Sequence, residues 1–161
     1  MPPSRTVSLL VMLAALSVGC QTRKPSILSR GGVSIDSLNV LTFPVAVNLD
    51  ERPGSDGFAI KLYAGNIRAA KTRPIESGAL EVILYNGTLI RPDTKPLKTW
   101  TFTADQLKTY QVNATIGTGY QLALRWENDR PTQPRFSVVT RLVRAGKPDV
   151  FSTPIDVEMA H

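Results

Sequence analysis

The chain has 161 residues, of which 42% are hydrophobic and 20% charged, enough to build one hydrophobic core in one domain. A single cysteine excludes a disulfide framework and a cysteine-built zinc site, and the only histidine is the C-terminal His161. A histidine at a chain end is poorly placed to act as a general base, so these counts argue against a catalytic triad. The formal net charge is +6, and the protein is therefore basic.

Residues 1–19 have the pattern of a bacterial signal peptide. Arg5 precedes an apolar stretch over residues 7–18, which is too short for a spanning helix of about 20 residues. The stretch ends in Leu-Ser-Val-Gly-Cys at residues 16–20, which resembles a bacterial lipobox, although Ser17 stands where that family prefers leucine. The resemblance implies cleavage after residue 19 and lipidation of Cys20.

Lipidation of Cys20 implies a protein of the bacterial cell envelope that is held to the membrane by its anchor. Gln21 follows the cysteine, rather than the aspartate that resembles an inner-membrane retention signal, so we expect the outer membrane with the domain facing the periplasm. An unmodified cysteine after an ordinary secretory cleavage site is the alternative. The chain from residue 20 onwards carries 18 basic and 13 acidic side chains, a net charge of +5.

Residues 20–34 are polar and show no periodicity, which predicts a flexible tether between the lipidated cysteine and a domain over 35–161. A flexible coil of 14 residues spans roughly 20 Å, so the domain would stay close to the bilayer. Arg23, Lys24 and Arg30 would add a weak attraction to anionic headgroups. The alternative is a linker that is merely solvated.

The rest of the chain alternates apolar and polar residues with the period of a β-strand, and turn-forming residues separate the runs. Only one short helical segment is predicted among these runs, which indicates an all-β, antiparallel sandwich rather than βαβ units. Pro44 in the first run predicts an edge strand, and the last run is the second expected edge. The seven predicted strands lie within residues 36–48, 58–64, 80–85, 98–102, 119–126, 136–143 and 150–157.

One short helical turn is predicted from Ala104, because Thr103 and Gln106 have the spacing of a capping box. This turn supplies Leu107, and further on Tyr120 opens an alternating Tyr-x-Leu-x-Leu run. The combination resembles the E-to-F corner of immunoglobulin-like and fibronectin type III sandwiches. The resemblance implies an immunoglobulin-like fold and a hydrogen bond from the Tyr120 hydroxyl to the corner backbone. A lipobox followed by one small sandwich is also similar to uncharacterised envelope lipoproteins, and this likeness implies an architecture only.

Two carboxylate pairs are the strongest candidates for catalysis or metal binding: Asp50 with Glu51, and Glu127 with Asp129. Both pairs lie in turn-rich stretches beside an arginine, so we interpret them as solvated loop charges. The sequence therefore predicts no catalytic residue, no metal site and no cofactor. The basic residues are dispersed and accompany no nucleic-acid-binding motif, so we expect no nucleic acid as a partner.

The aromatic residues bear most directly on a ligand. Trp100 and Trp126 are in phase with apolar neighbours, which predicts core packing, although a stacking platform for sugars is the alternative. Tyr63 and Tyr85 are out of phase with the apolar residues of their strands. They are therefore the first candidates for exposed ligand-contact aromatics, with Trp100 next, although placement on an edge strand would explain both tyrosines equally well.

These observations together predict a membrane-anchored, non-catalytic binding or structural lipoprotein of the cell envelope. Its expected partners are the membrane, through the anchor, and an envelope protein or a glycan. The alternative function is a carbohydrate-binding accessory module.

Overall fold

Residues 34–68 and 71–160, which the computed structural model describes, form nine β-strands in two antiparallel sheets and one short helix. Sheet A has the order β1-β2-β6-β5: Ser37–Thr42, Gly57–Gly65, Gly117–Arg125 and Gln111–Ala114. Sheet B has the order β4-β3-β7, with β8 and β9 both on the far side of β7: Lys98–Thr103, Ala79–Asn86, Arg135–Val143, Val150–Phe151 and Ile155–Glu158. The predicted signal peptide, Cys20 and all of the tether but Ser34 lie outside the described residues, as does His161.

The prediction of an all-β antiparallel sandwich is confirmed. The sheet orders are those of an immunoglobulin-like domain, in which strands A, B, E and D form one sheet and C, F and G the other, here with β4 added beside strand C. The described residues contain nine strands rather than seven for two reasons. The short β5 has too few residues to show a period, and the last predicted run is interrupted at residues 152–154 into β8 and β9.

The core lies between the two sheets and is built by the alternation read from the sequence. On β2 the residues Phe58, Ile60, Leu62 and Ala64 point inward, and each is at most 2% exposed. Trp126 is 2% exposed and packs edge-to-face on Phe136, with the ring centroids 5.8 Å apart. Its predicted place in the core is confirmed.

The predicted helical turn is also confirmed. Helix α1 spans Ala104–Leu107, and Thr103 and Gln106 form both hydrogen bonds of the capping box. Leu107 is fully buried in the core, so this single turn of helix is fixed by an apolar anchor as well as by its cap.

The predicted corner around Tyr120 is wrong in its position. Helix α1 lies between β4 and β5, which correspond to strands C′ and D, and Tyr120 lies on β6, which corresponds to strand E. Its hydroxyl accepts a hydrogen bond of 2.6 Å from the backbone N–H of Ile75, in the connection between β2 and β3. Burial raises the pKa of Tyr120, and the hydrogen bond from Ile75 opposes that shift. The tyrosine therefore ties β6 to a distant loop rather than to a neighbouring corner.

Pro44 follows the end of β1, and from there the chain crosses from sheet A to sheet B. After it, the backbone N–H of Ala46 donates to the carbonyl oxygen of Glu158 at 2.7 Å, and the N–H of Glu158 donates to Pro44 at 2.8 Å. Strand β1 is the edge of sheet A, as predicted. The last strand, β9, also lies at an edge, but residues 44–46 cover part of its outer side, which is a common protection of exposed strands.

A search of residues 34–68 and 71–160 for a helix long and apolar enough to cross a membrane finds none.

Candidate binding face

The outer face of sheet A is defined by the residues that point away from the core on its four strands. Register places Leu41 beside Lys61 and Lys61 beside Gln121, so these three side chains form one row across β1, β2 and β6. In the next row Ala59 lies opposite Ala123. Because alanine is small, this second row forms a low floor between taller side chains.

Taller apolar side chains border that floor on two sides. Leu41 and Phe43 form one border and are 60% and 61% exposed. Tyr110 forms the other border, is 40% exposed, and is held edge-to-face against Phe102 with the ring centroids 5.6 Å apart. Ala59 and Gln121 line the depressions on both sides, so the borders and the floor form one continuous shallow surface. We call it the sheet A face.

Two polar side chains lie in the middle of the sheet A face. Lys61 is exposed and makes no ion pair with a carboxylate among residues 34–68 and 71–160. Gln121, beside it, is exposed as well. The surface therefore offers apolar side chains at its borders and one cation with hydrogen-bonding capacity at its centre.

The outer face of sheet B is covered by the chain itself over its central strands β3 and β7. Ile83, Tyr85 and Val139 point outward, yet they form a second buried cluster with Leu89, which lies in the connection between β3 and β4. The N–H of Leu89 donates to the Ser137 hydroxyl at 2.7 Å, which holds this connection on the sheet. The chain thus supplies its own cover for this cluster, whereas Phe151 on β8, on the same outer face, stays 54% exposed beside Arg141.

The predicted exposure of Tyr63 and Tyr85 is wrong, because both side chains are only 8% exposed. Tyr85 lies in the cluster under Leu89. The ring of Tyr63 lies over Gly119, where an added Cβ would come within 2.6 Å of the ring carbon Cε1. The missing side chain at Gly119 leaves the space that the Tyr63 ring fills, an arrangement known from β-sheets in which an aromatic residue covers a glycine.

Trp100, the other aromatic candidate, is half-buried and packs on the core. Its ring contacts Phe58 edge-to-face at 5.6 Å, and the ammonium group of Lys98 lies 5.3 Å from its centroid. The Trp100 ring therefore packs against Phe58, and the Lys98 ammonium group lies over its face. The structure does not bring Trp100 together with Tyr63 or Tyr85, because Trp100 lies on the inner side of sheet B and the tyrosines lie on the outer sides of the two sheets.

Three of the four carboxylates in the two predicted pairs form ion pairs with cations of β4 and β6, and Glu51 forms none among residues 34–68 and 71–160. Lys98 lies 3.0 Å from Glu127 and 3.4 Å from Asp129. Arg125 lies 3.5 Å from Asp50 and 3.2 Å from Asp56. A search of the described part of the chain for three or more histidine, cysteine, aspartate or glutamate side chains that could share a metal ion finds no such group.

Leu41, Phe43 and Tyr110 are the residues of this face that the sequence analysis missed. Leu41 falls in the first predicted strand and is out of phase with the buried Leu38, which is the same signal that singled out Tyr63 and Tyr85. Tyr110 ends a short 3-10 turn after α1, where no period exists to place it.

No protein-family model matches the chain, and none of the curated proteins compared with it shows a significant match.

Proposed function

We propose that the protein is a lipid-anchored, non-catalytic binding module of the bacterial cell envelope, and that the sheet A face binds an envelope protein. The observation that carries the proposal is the exposure of Leu41 and Phe43, 60% and 61%, beside a low alanine floor on an edge strand. Contiguous exposed apolar surface on a soluble domain commonly marks an interaction site.

The chemistry of the face favours a protein segment with apolar side chains and a carboxylate. The apolar side chains would pack against Leu41, Phe43 and Tyr110, and the carboxylate would meet Lys61, which has no ion pair among the described residues. Strand β1 is also an edge, and an extended segment can add to such an edge through main-chain hydrogen bonds. Leucine and phenylalanine pack well in protein interfaces.

The non-catalytic part of the proposal is supported by the contacts of the candidate carboxylates. Three of the four carboxylates in the two predicted pairs form ion pairs with Lys98 or Arg125. Their role is then to close the loops at one end of the sandwich.

The anchor is proposed from the sequence, on the apolar run that ends at the only cysteine, Cys20. Radiolabelled palmitate fed to a bacterial host should label the wild-type protein and leave Cys20→Ser unlabelled. Equal labelling of both proteins would overturn the anchor. Fractionation of the same cells tests the outer-membrane location, which predicts that the labelled chain follows outer-membrane markers.

The binding face is tested by photocrosslinking in living cells. A photoreactive phenylalanine analogue at position 41 should give one discrete crosslinked protein. The matched control is position 90, because Ile90 is 86% exposed but lies on the connection that covers sheet B. The same adduct at both positions, or no adduct at position 41, would overturn the sheet A face as the binding site.

A carbohydrate-binding function is the second candidate, and Tyr110 is the observation in its favour. Its ring is 40% exposed and borders the same depression as Gln121, so a sugar could stack on the ring and bond to the amide. Calorimetric titration with peptidoglycan fragments decides between the two candidates. Binding that Tyr110→Ala removes and Leu41→Ala keeps would favour the glycan.

A further inference from the structure

The two ends of the sandwich differ in their balance of charged side chains. The tether end consists of residues 34–36, 66–68, 71–78 and 144–149, where the described chain begins. There the guanidinium group of Arg144 donates to the carbonyl oxygen of Ile35 at 2.9 Å, and Asn66 donates to the carbonyl oxygen of Ser34 at 3.1 Å. Ser34 and Ile35, where the tether meets the domain, are therefore each held at this end by one side chain.

The tether end is rich in cations, none of which forms an ion pair among residues 34–68 and 71–160. These cations are Arg68, Lys71, Arg73, Arg144 and Lys147. At the opposite end, residues 48–56, 87–98, 125–135 and 158 carry seven cations and seven carboxylates, and three of these cations, Lys98, Arg125 and Arg135, form ion pairs. The tether end carries five cations and three carboxylates, so the excess of positive charge in residues 34–160 lies at the tether end.

Three of the five cations surround one open depression. Arg73, Arg144 and Lys147 line it together with Ser34 and Ile35, and Glu76 is the acidic residue among its lining. The Nε atom of Arg144 is buried and has no hydrogen-bond partner within the described part of the chain. Of the other carboxylates at this end, Asp36 accepts hydrogen bonds from Asn66 and Ile67, and Asp149 faces Arg141 at 3.8 Å.

We propose that the tether end is a docking surface for the anionic headgroups of phospholipids, so that the sandwich stands with this end on the membrane. The inference rests on the proposed lipid anchor. Cys20 is 14 residues before Ser34, and Arg23, Lys24 and Arg30 add three positive charges to the intervening sequence. The point of attachment and the excess positive charge of the domain then coincide, which a random distribution of surface charge would not require.

The contact is electrostatic and should therefore weaken with salt. Each lysine or arginine near an anionic bilayer changes the binding constant by about fivefold, and the attraction falls off within a Debye length of about 10 Å at 0.1 M salt. The tether predicted from the sequence would keep this end within reach of the surface without fixing its orientation. The orientation of the sandwich on the membrane is then set by the cations of the tether end.

Lysine footprinting on reconstituted protein tests this directly. The purified chain is placed in vesicles of phosphatidylglycerol or of phosphatidylcholine, and amine acetylation is followed by mass spectrometry. We expect Lys71 and Lys147 to react about fivefold or more slowly on the anionic vesicles, with the protection lost at high salt and absent on phosphatidylcholine. Lys95, at the opposite end, should react equally on both.

Matched variants separate this contact from a general effect of charge. Arg73→Gln with Lys147→Gln should remove most of the protection of Lys71, whereas Arg91→Gln with Arg130→Gln, which loses the same charge at the other end, should leave it. Neither pair makes an ion pair among the described residues, so both variants should fold. Protection that glycerol phosphate in solution reproduces without vesicles would overturn a membrane surface in favour of a free phosphate site.

The mass of the purified chain reports lipidation by itself, so failure of the anchor and failure of the contact are distinguishable. If Cys20 is unmodified, its thiol can be coupled to a maleimide lipid in the vesicles, and the footprint is measured in the same way. Equal acetylation of Lys71 on anionic and zwitterionic vesicles, with either anchor, would overturn the docking surface.

Discussion

The outer faces of the two sheets carry apolar side chains that the core does not use, and they differ in what covers those side chains. On sheet B, Leu89 from the connection between β3 and β4 buries Ile83, Tyr85 and Val139. On sheet A, Leu41 and Phe43 remain more than half exposed. An out-of-phase apolar residue therefore identifies the outer face of a strand. Whether that residue is buried or available for binding depends on the connecting loops.

The largest expected change in the free energy of unfolding concerns the inner face of sheet A. Leu124 is 3% exposed and lies in the core between the sheets, so Leu124→Ala should lower the free energy of unfolding by roughly 2 to 5 kcal/mol. Denaturant unfolding measures the loss. A change below about 0.5 kcal/mol would mean that β6 presents its other face to the core and that the two faces of sheet A have been exchanged.

The next largest effect concerns the hydrogen bond that joins the inner side of sheet A to the connection leading into sheet B. Tyr120→Phe leaves the N–H of Ile75 buried without its partner, which should cost about 1 to 3 kcal/mol. Thermal or denaturant unfolding at neutral pH measures this cost. The exposed Tyr110→Phe is the matched control and should change stability by less than about 0.5 kcal/mol.

The stability difference between wild type and Tyr120→Phe should also depend on pH. Because burial raises the pKa of Tyr120 in the folded state, its neutral hydroxyl stabilises the fold below the unfolded value of about 10, and this contribution is lost as the pH rises through the folded value. The stability difference between wild type and Tyr120→Phe should therefore shrink above about pH 10. A difference that grows with pH would contradict the direction of the shift.

Uncovering sheet B should make it resemble sheet A. Leu89→Ala removes the side chain that covers the second cluster, and because Leu89 is half-buried we expect a loss of about 1 to 2 kcal/mol. A dye that binds exposed apolar surface should fluoresce more strongly with the folded variant than with wild type. Ile90→Ala, next to it and 86% exposed, should change neither measurement.

Much of the fold follows from the sequence because the inner residues of long strands repeat with a period of two. Phe58 to Ala64 is one such run, and the Thr103 and Gln106 spacing placed α1 correctly. Strand β5 was missed because its four residues are fixed by pairing with β6 rather than by a hydrophobic pattern of their own. Tyr120 was assigned to the wrong corner because its bond to Ile75 spans 45 residues and leaves no local signal.

The candidate site was less accessible from the sequence for a related reason. Tyr63 and Tyr85 are on the outer faces that their phase indicated, but Gly119 and Leu89, distant in sequence, bury them. Leu41 has the same phase on its own strand and no such cover. Exposure depends on long-range packing, and a period along one strand contains no information about that packing.

The smallest expected effect on stability accompanies the largest expected effect on binding. Leu41→Ser with Phe43→Ser removes two side chains that are more than half exposed, so the free energy of unfolding should change by less than about 0.5 kcal/mol for each. If the partner buries these side chains, their loss should weaken capture of the protein crosslinked at position 41 by tenfold or more, since fully burying a leucine or phenylalanine side chain contributes about 1.5 to 3 kcal/mol. Leu89→Ala, which alters the other sheet, is the control and should bind that partner as wild type does. Unchanged capture by the double variant would mean that the exposed apolar residues of sheet A form no interface. The proposed functional difference between the two outer faces would then be wrong.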